Sequence, residues 1–329
     1  MMIIDSYRFG GTTPTPLPFI FSVTVADGDS FLLPTVVGGS YDALVDWGDG
    51  NDNTLTTWNV DRSNTYTTAG TYDITISGEF DGFNFFDEST SRLLIREIKQ
   101  WGIVRFLTGG SCFINCSNLT ISATDAPDLT NVTSMFGFFN GCSSLTTIPG
   151  SSLWSFPSVT NMQALFKDAT NFNADISAWD VSGVESFQEM FRSAINFNSN
   201  ISSWSTTSAT NMLRMFQSAR TFNQDIGGWY TNNVPSFFGM FFDADAFDQD
   251  ISGWVVTALT DATAMFGSGS SLSTVNYDLL LVGWEGQSVN NSVTLAMNNS
   301  EYTGGSAAAT ARAALISDHS WTISDGGIA

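Results

Sequence analysis

Histidine, cysteine and basic side chains are all scarce in this 329-residue chain. The one histidine, His319, cannot assemble a multi-histidine metal centre, and a catalytic triad would need a nucleophile beside it. Three cysteines, Cys112, Cys116 and Cys142, are too few for a disulfide framework and leave one thiol over under any pairing. Eleven Lys and Arg stand against 32 Asp and Glu, a formal charge of −21, so a partner gripped through phosphates is repelled. That balance argues against nucleic acid and anionic membranes as partners. No apolar run approaches the roughly 18 residues of a membrane span, so membrane insertion is not expected. Met1 to Phe9 lacks the basic start and apolar stretch of a signal peptide, giving the expectation of a soluble protein made without an export signal. There is no Walker loop, dinucleotide fingerprint or Cys-x-x-Cys pair. The expectation is a protein with no cofactor, no catalytic residues and no enzymatic activity.

What the chain does have is internal repetition. Trp154, Trp179, Trp204, Trp229 and Trp254 fall 25 residues apart, and Phe166, Phe191, Phe216, Phe241 and Phe266 keep the same step. Two further columns, Phe172 to Phe247 and Ile176 to Ile251, follow it. Looser copies lie upstream, where Phe113, Phe139 and Phe166 are spaced by 26 and 27. There Cys116 and Cys142 occupy the place that Ala169, Ala194, Ala219 and Ala244 hold later, which marks them as small buried residues.

Within one unit, Ala209, Met212, Met215, Phe216 and Ala219 carry the spacing of an amphipathic helix, with the methionines in the core. Phe222 to Trp229 follows as a turn and brief strand. A lone unit has about five large apolar side chains, too few to offset the entropy of ordering its 25 residues. Stacked between copies, both of its faces become interior, so a solenoid is expected. Asp175, Asn200, Asp225 and Asp250 recur one residue before the isoleucine and read as Asx side chains bonding neighbouring backbone. No stretch has EF-hand spacing; the calcium candidates are Asp243, Asp245, Asp248 and Asp250, and no metal site is otherwise assigned.

Outside the repeats the pattern changes. Phe21 to Val25, Ala43 to Trp47 and Thr71 to Ile76 alternate as β segments with Gly- and Asp-rich turns, which fits a small antiparallel sandwich over 19–92. Residues 1–18 read as a leading peptide on a Pro-rich extended spacer, suited to docking into a larger assembly. Tyr277 to Trp284 breaks the period, and Ser306 to Ile316 forms an alanine-rich helix with Ser306 as N-cap, inside an expected C-terminal cap over 285–329.

The units Phe172 to Ser182 and Phe222 to Trp229, each followed by a Met-Phe pair, resemble the BspA-like repeat of bacterial surface proteins, a divergent leucine-rich repeat, over residues 93–284. Ser205-Thr206-Thr207 and Tyr230-Thr231-Asn232 depart from its Asp-Val-Ser step. Val45 to Gly50, with Asn64 to Tyr66 and Ala69 to Tyr72, resembles the polycystic-kidney-disease (PKD) type of immunoglobulin-like domain, a spacer or adhesive module. The resulting expectation is an α+β protein, with an N-terminal β-sandwich, a leucine-rich-repeat-like α/β solenoid and a C-terminal cap. Both resemblances imply display at a surface. The absent export signal points first to a phage virion, as a fibre, tail-tip or head-decoration component joined to other virion proteins by its N-terminus and facing a host glycan or surface protein. The second setting is a bacterial cell-surface adhesin, and a carbohydrate-active enzyme is the third reading. A homo-oligomer is compatible with each.

Overall fold

A computed structural model describes residues 16–107 and 110–329. Residues 1–15 of the expected docking peptide and spacer therefore lie outside the described residues.

The N-terminal part is organised by strands whose alternate side chains are apolar. Phe19, Phe21, Val23 and Val25 of β1 (Phe19–Val25) are all buried. They form the middle of a six-stranded sheet in the order β4-β3-β6-β1-β7-β8. Its other members are β3 (Tyr41–Asp46), β4 (Asp52–Leu55), β6 (Gly70–Phe80), β7 (Ile95–Gln100) and β8 (Thr120–Ile121). In β3, Tyr41, Ala43 and Val45 point in while Asp42, Leu44 and Asp46 point out, the strict alternation of a half-buried strand. The turn from β3 to β4 needs glycine: Gly48 has φ +77°, and a Cβ there would meet Asp73 O at 2.5 Å. A separate ribbon pairs β2 (Ser30–Leu32) with β5 (Ser63–Thr65). The sandwich expected for 19–92 is thus corrected to one six-stranded sheet with a two-stranded ribbon. β8, which comes from the repeat region, lies parallel to β7 at the sheet's edge.

In the repeats the expected helices are absent. The Met-Phe segment of each copy is a run of overlapping turns. Leu165 N donates to Met162 O (3.2 Å), Lys167 N to Ala164 O (3.2 Å) and Ala169 N to Phe166 O (3.1 Å), while the intervening N–H groups leave the copy. Ala164 N reaches Gln188 O (2.8 Å), Phe166 N reaches Met190 O (2.9 Å) and Asp168 N reaches Arg192 O (2.8 Å). A helix would send each N–H to the carbonyl four residues back; here every second one bonds the next copy. Left-handed residues at Ala164, Asp168, Glu189, Ser193, Arg214 and Ser218 bend the chain to permit this. Regular ladder is limited to short pieces, such as β9 (Phe241–Phe242) parallel to β10 (Phe266–Gly267), and to single parallel bridges such as Ser134, Asn161, Ser186 and Asn211 in series.

The same peptide unit that donates forward also accepts from behind. Phe139 N bonds Leu165 O, Phe166 N bonds Met190 O, Phe191 N bonds Met215 O, Phe216 N bonds Met240 O and Phe241 N bonds Met265 O, all at 2.9–3.0 Å. Peptide groups thereby line up head to tail in columns along the chain of copies. Side chains follow the columns. Phe166 and Phe191 stack at 5.8 Å, Phe191 and Phe216 at 5.7 Å, and Phe216 and Phe241 at 5.9 Å, with interplanar angles of 11° or less. Trp179, Trp204, Trp229 and Trp254 occupy equivalent surroundings. Each is buried, and its Nε1 donates to a carbonyl 28 residues earlier, those of Ser151, Ile176, Ile201 and Ile226.

Among the described residues α-helix is confined to the C-terminal part, with single 3-10 turns at Ser91–Leu93 and Ser151–Leu153. α1 (Thr274–Glu285) buries Tyr277, Leu280, Leu281 and Trp284 against the last copy, and Trp284 Nε1 bonds Ile251 O (3.2 Å), continuing the tryptophan ladder from a different backbone. Beyond it, β11 (Thr294–Ala296), β12 (Glu301–Tyr302), α2 (Ala307–Ser317), β13 (Thr322–Ser324) and β14 (Gly327–Ile328) close the chain, with β11 parallel to β13 and β12 parallel to β14. Ser306 Oγ accepts from Ala308 N (3.1 Å) and Ala309 N (3.3 Å), capping α2. The expected α+β class with a leucine-rich-repeat-like α/β solenoid is therefore corrected. The chain is built mostly of small sheets and turns, and the two α-helices among the described residues, of 12 and 11 residues, both follow the last Phe-aligned copy at Phe266.

Candidate functional site

Two polar columns run along the copies, and both are spent on backbone. Asp175, Asn200, Asp225 and Asp250 each accept from the N–H two residues ahead, at 2.9–3.0 Å, as Asx turns. The hydrogen bonds of Ser177 hold the Asp175 carboxyl below the usual carboxylate range. The second column is a ladder between copies: Asn198 N donates to Asn173 Oδ1, Asn223 N to Asn198 Oδ1 and Asp248 N to Asn223 Oδ1, each at 2.9 Å, and Ser273 N to Asp248 Oδ1 at 2.8 Å.

The four calcium candidates are drawn into separate jobs. Asp243 pairs with Arg220 at 3.1 Å and Asp245 with the same guanidinium at 3.9 Å. Asp248 accepts from Ser273 and from Asn276 Nδ2 at the start of α1, and Asp250 closes its Asx turn. Among the described residues no group of three or more His, Cys, Asp or Glu is placed to hold a metal ion. The three cysteines are buried free thiols, and burial pushes all three pKa values up, the ordinary fate of small core residues. His319 contributes its carbonyl to Ser292 N.

Two larger clefts lie elsewhere, where the N-terminal sheet meets the first copies. One, of about 500 Å³, is lined by Val37, Trp58, Arg62, Phe86, Asp87 and Phe136 among others. Val37 and Phe86 are exposed at its rim, and Trp58 and Phe136 are partly so. A second groove, of about 780 Å³, contains Glu79, Asp81, Asp125, Asp128 and Arg105. Burial raises the Asp81 carboxyl above its usual range despite the opposing charge of Arg105, whose Nη1 lies 3.7 Å away. Asp125 instead accepts from the N–H groups of Trp101 (3.1 Å) and Gly102 (2.8 Å). None of these residues stood out in the sequence, because each cleft gathers loops that are far apart along the chain.

A family model described as "Mycoplasma protein of unknown function, DUF285" matches residues 109–220 and again 178–280. The two matches together span 109–280, which is 172 of 329 residues. No curated protein and no solved structure matches the chain. The matched span coincides with the Phe- and Trp-aligned copies and agrees with the BspA-like surface-protein repeat that those copies resemble. This chain belongs to the DUF285 family.

Proposed function

We propose that the protein is a non-enzymatic surface protein whose stacked copies are displayed for adhesion to a glycan or a surface protein. The observation that carries this reading is the set of peptide columns running without interruption from Phe113 to Phe266. They hold the inward Phe and Trp columns in register while leaving the outward positions free to differ from copy to copy, which is the organisation of a display scaffold. Membership of a surface-repeat family supports an extracellular or surface location and favours the bacterial cell surface. The virion setting, and the PKD-type identity of the N-terminal module, rest on sequence resemblance alone. In the larger groove Asp125 is committed to the backbone N–H groups of Trp101 and Gly102.

The test is location followed by adhesion. An antibody raised to the repeats should label intact cells, external protease should remove the label, and purified protein should compete with those cells for attachment. Label that appears only after cells are permeabilised would refute the surface reading.

A further inference from the structure

Lys167, Glu189, Arg192 and Arg214 come from three successive copies and meet on the outside of the stack. Lys167 Nζ lies 2.7 Å from Glu189 Oε2, and Arg192 Nη1 and Arg214 Nη1 lie 3.1 and 3.7 Å from Glu189 Oε1. The carboxylate is 11% exposed, while the cations are 25, 34 and 39% exposed. The Arg214 guanidinium carbon lies over the Phe238 ring, 4.7 Å from its centre, a cation–π contact. Gln188, beside Glu189, is held by Asn211, whose Nδ2 donates to Gln188 Oε1 at 3.0 Å.

Stacking does not require these charges. Lys167 and Arg192 share one place in the repeat, and Gln217, Phe242 and Gly267 fill it in the following copies. Glu189 and Arg214 share another, filled elsewhere by Ala164, Gly239 and Ala264. The peptide columns pass through all of them unbroken. That second place is left-handed, with φ +56° at Glu189 and +54° at Arg214, a conformation better suited to glycine than to long charged side chains.

Nor is the charge balanced. In the other ion pairs among the described residues, carboxylates equal or outnumber cations: Lys99 with Asp73, Arg105 with Asp81 and Asp128, Arg220 with Asp243 and Asp245, and Arg312 with Asp325. Here three cations share one carboxylate, an excess of two positive charges, in a chain of net charge −21. Three like charges held together repel one another, and an anion arriving from solvent relieves that repulsion. Burial disfavours the charged Glu189, but the Lys167 hydrogen bond and the three neighbouring cations outweigh it and hold the carboxyl below its usual range. Glu189 thus stays ionised and aims the cations without neutralising them.

We propose that Lys167, Arg192 and Arg214 form a binding site for a carboxylate-bearing glycan. The forked guanidinium groups match a planar carboxylate. A densely charged polymer such as nucleic acid is repelled by the whole chain, whereas a sugar chain with separated carboxylates meets this one favourable point. Amide side chains next to the cations suit the sugar hydroxyls. The proposal deepens the adhesion reading and rests on it.

The experiment titrates the full chain with an oligogalacturonate, a neutral dextran oligosaccharide and dextran sulfate. The oligogalacturonate should bind with an affinity that falls as salt rises, and the neutral sugar should not bind. Lys167→Gln with Arg192→Gln should weaken binding by at least about tenfold. A second variant replaces the cluster by residues that neighbouring copies hold, namely Lys167→Gln, Glu189→Ala, Arg192→Gln and Arg214→Ala. It should still unfold in one cooperative transition and lose binding. Unchanged binding in this folded variant, a preference for dextran sulfate, or equal binding of neutral dextran would each overturn the proposal. Adhesion to cells that survives the four substitutions would overturn the site while leaving the adhesion reading intact.

Discussion

Phe216→Ala is the sharpest perturbation of the stacked interior. The ring is fully buried, with Phe191 on one side at 5.7 Å and Phe241 on the other at 5.9 Å, and Phe222 packs against it at 3.9 Å. Losing a fully buried Phe side chain costs roughly 1.5–3 kcal/mol in transfer alone. The cavity adds to this, because the neighbouring copies cannot close over it. Their separation is set by the peptide column, in which Phe216 N bonds Met240 O at 3.0 Å and Phe191 N bonds Met215 O at 3.0 Å. The expected cost is therefore in the upper part of the range of about 3–5 kcal/mol for such truncations. The ring-to-ring terms overlap with that burial and are not added separately. The assay is urea unfolding followed by tryptophan fluorescence, with Tyr230→Ala as control. Tyr230 is 56% exposed, and its loss should move stability by no more than about 0.5 kcal/mol. A Phe216→Ala effect below about 1 kcal/mol, or no larger than that of the control, would show that the copies relax independently and that the shared interior is not what holds them.

The polar ladder and the buried acid give two further tests. Asn198 Oδ1 accepts from Asn223 N and from Gln224 Nε2, both at 2.9 Å, so Asn198→Ala should cost about 1–2 kcal/mol and speed hydrogen exchange at Asn223. Asn198→Asp, which keeps the acceptor and matches Asp248 two copies on, should be nearly neutral at pH 7. Glu189 has a folded pKa below its unfolded value, so its contribution is present above the unfolded pKa, about 4.5, and is lost as pH falls through the lower folded value. Unfolding midpoints measured from pH 6 to pH 3 should decline less steeply for Glu189→Gln than for the wild type. Parallel curves would remove Glu189 from the account of acid stability.

Much of the interior was legible in the sequence, because the inward columns repeat one residue type. Phe166 to Phe266 and Trp154 to Trp254 announce the 25-residue step directly. The backbone between them was not legible. Ala209, Met212, Met215, Phe216 and Ala219 satisfy helical spacing, but a run of three-residue turns buries the same positions, and spacing alone does not say where the N–H groups go. The missed signal was glycine. Gly137 and Gly239 stand at one left-handed place and Gly141 at another, but Ala164, Glu189 and Arg214 fill the first in other copies, and Asp168, Ser193 and Ser218 the second, which hides the pattern. The cationic cluster was hidden for the same reason. Lys167 and Arg192 are 25 apart and visibly related, whereas their meeting with Glu189 and Arg214 depends on those left-handed bends and on pairing between copies.

How the stack begins follows from the direction of its peptide columns. Every aligned unit donates toward the C-terminal copies and accepts from the N-terminal ones, so carbonyl oxygens and partial negative charge collect at the first copy. The N-terminal sheet region supplies donors there: Asn84 Nδ2 bonds Gly110 O, and Phe85 N bonds Cys112 O at 2.9 Å. It also covers the first aromatic layer, with Phe83 at 5.4 Å and Phe85 at 6.3 Å from Phe113. A fragment beginning at residue 93 would leave those carbonyls without protein donors, strip the cover from Phe113 and lose β1 as the partner of β7. The N-terminal part is then structurally the first cap of the stack, whatever else it binds. The expected outcome is that the fragment 93–329 aggregates or unfolds without a sharp transition, while the intact chain protects the amides of residues 111–123 from exchange as strongly as those of the central copies. A soluble 93–329 fragment that unfolds cooperatively at the wild-type midpoint would show that the columns need no cap and would reduce the N-terminal part to an appended module.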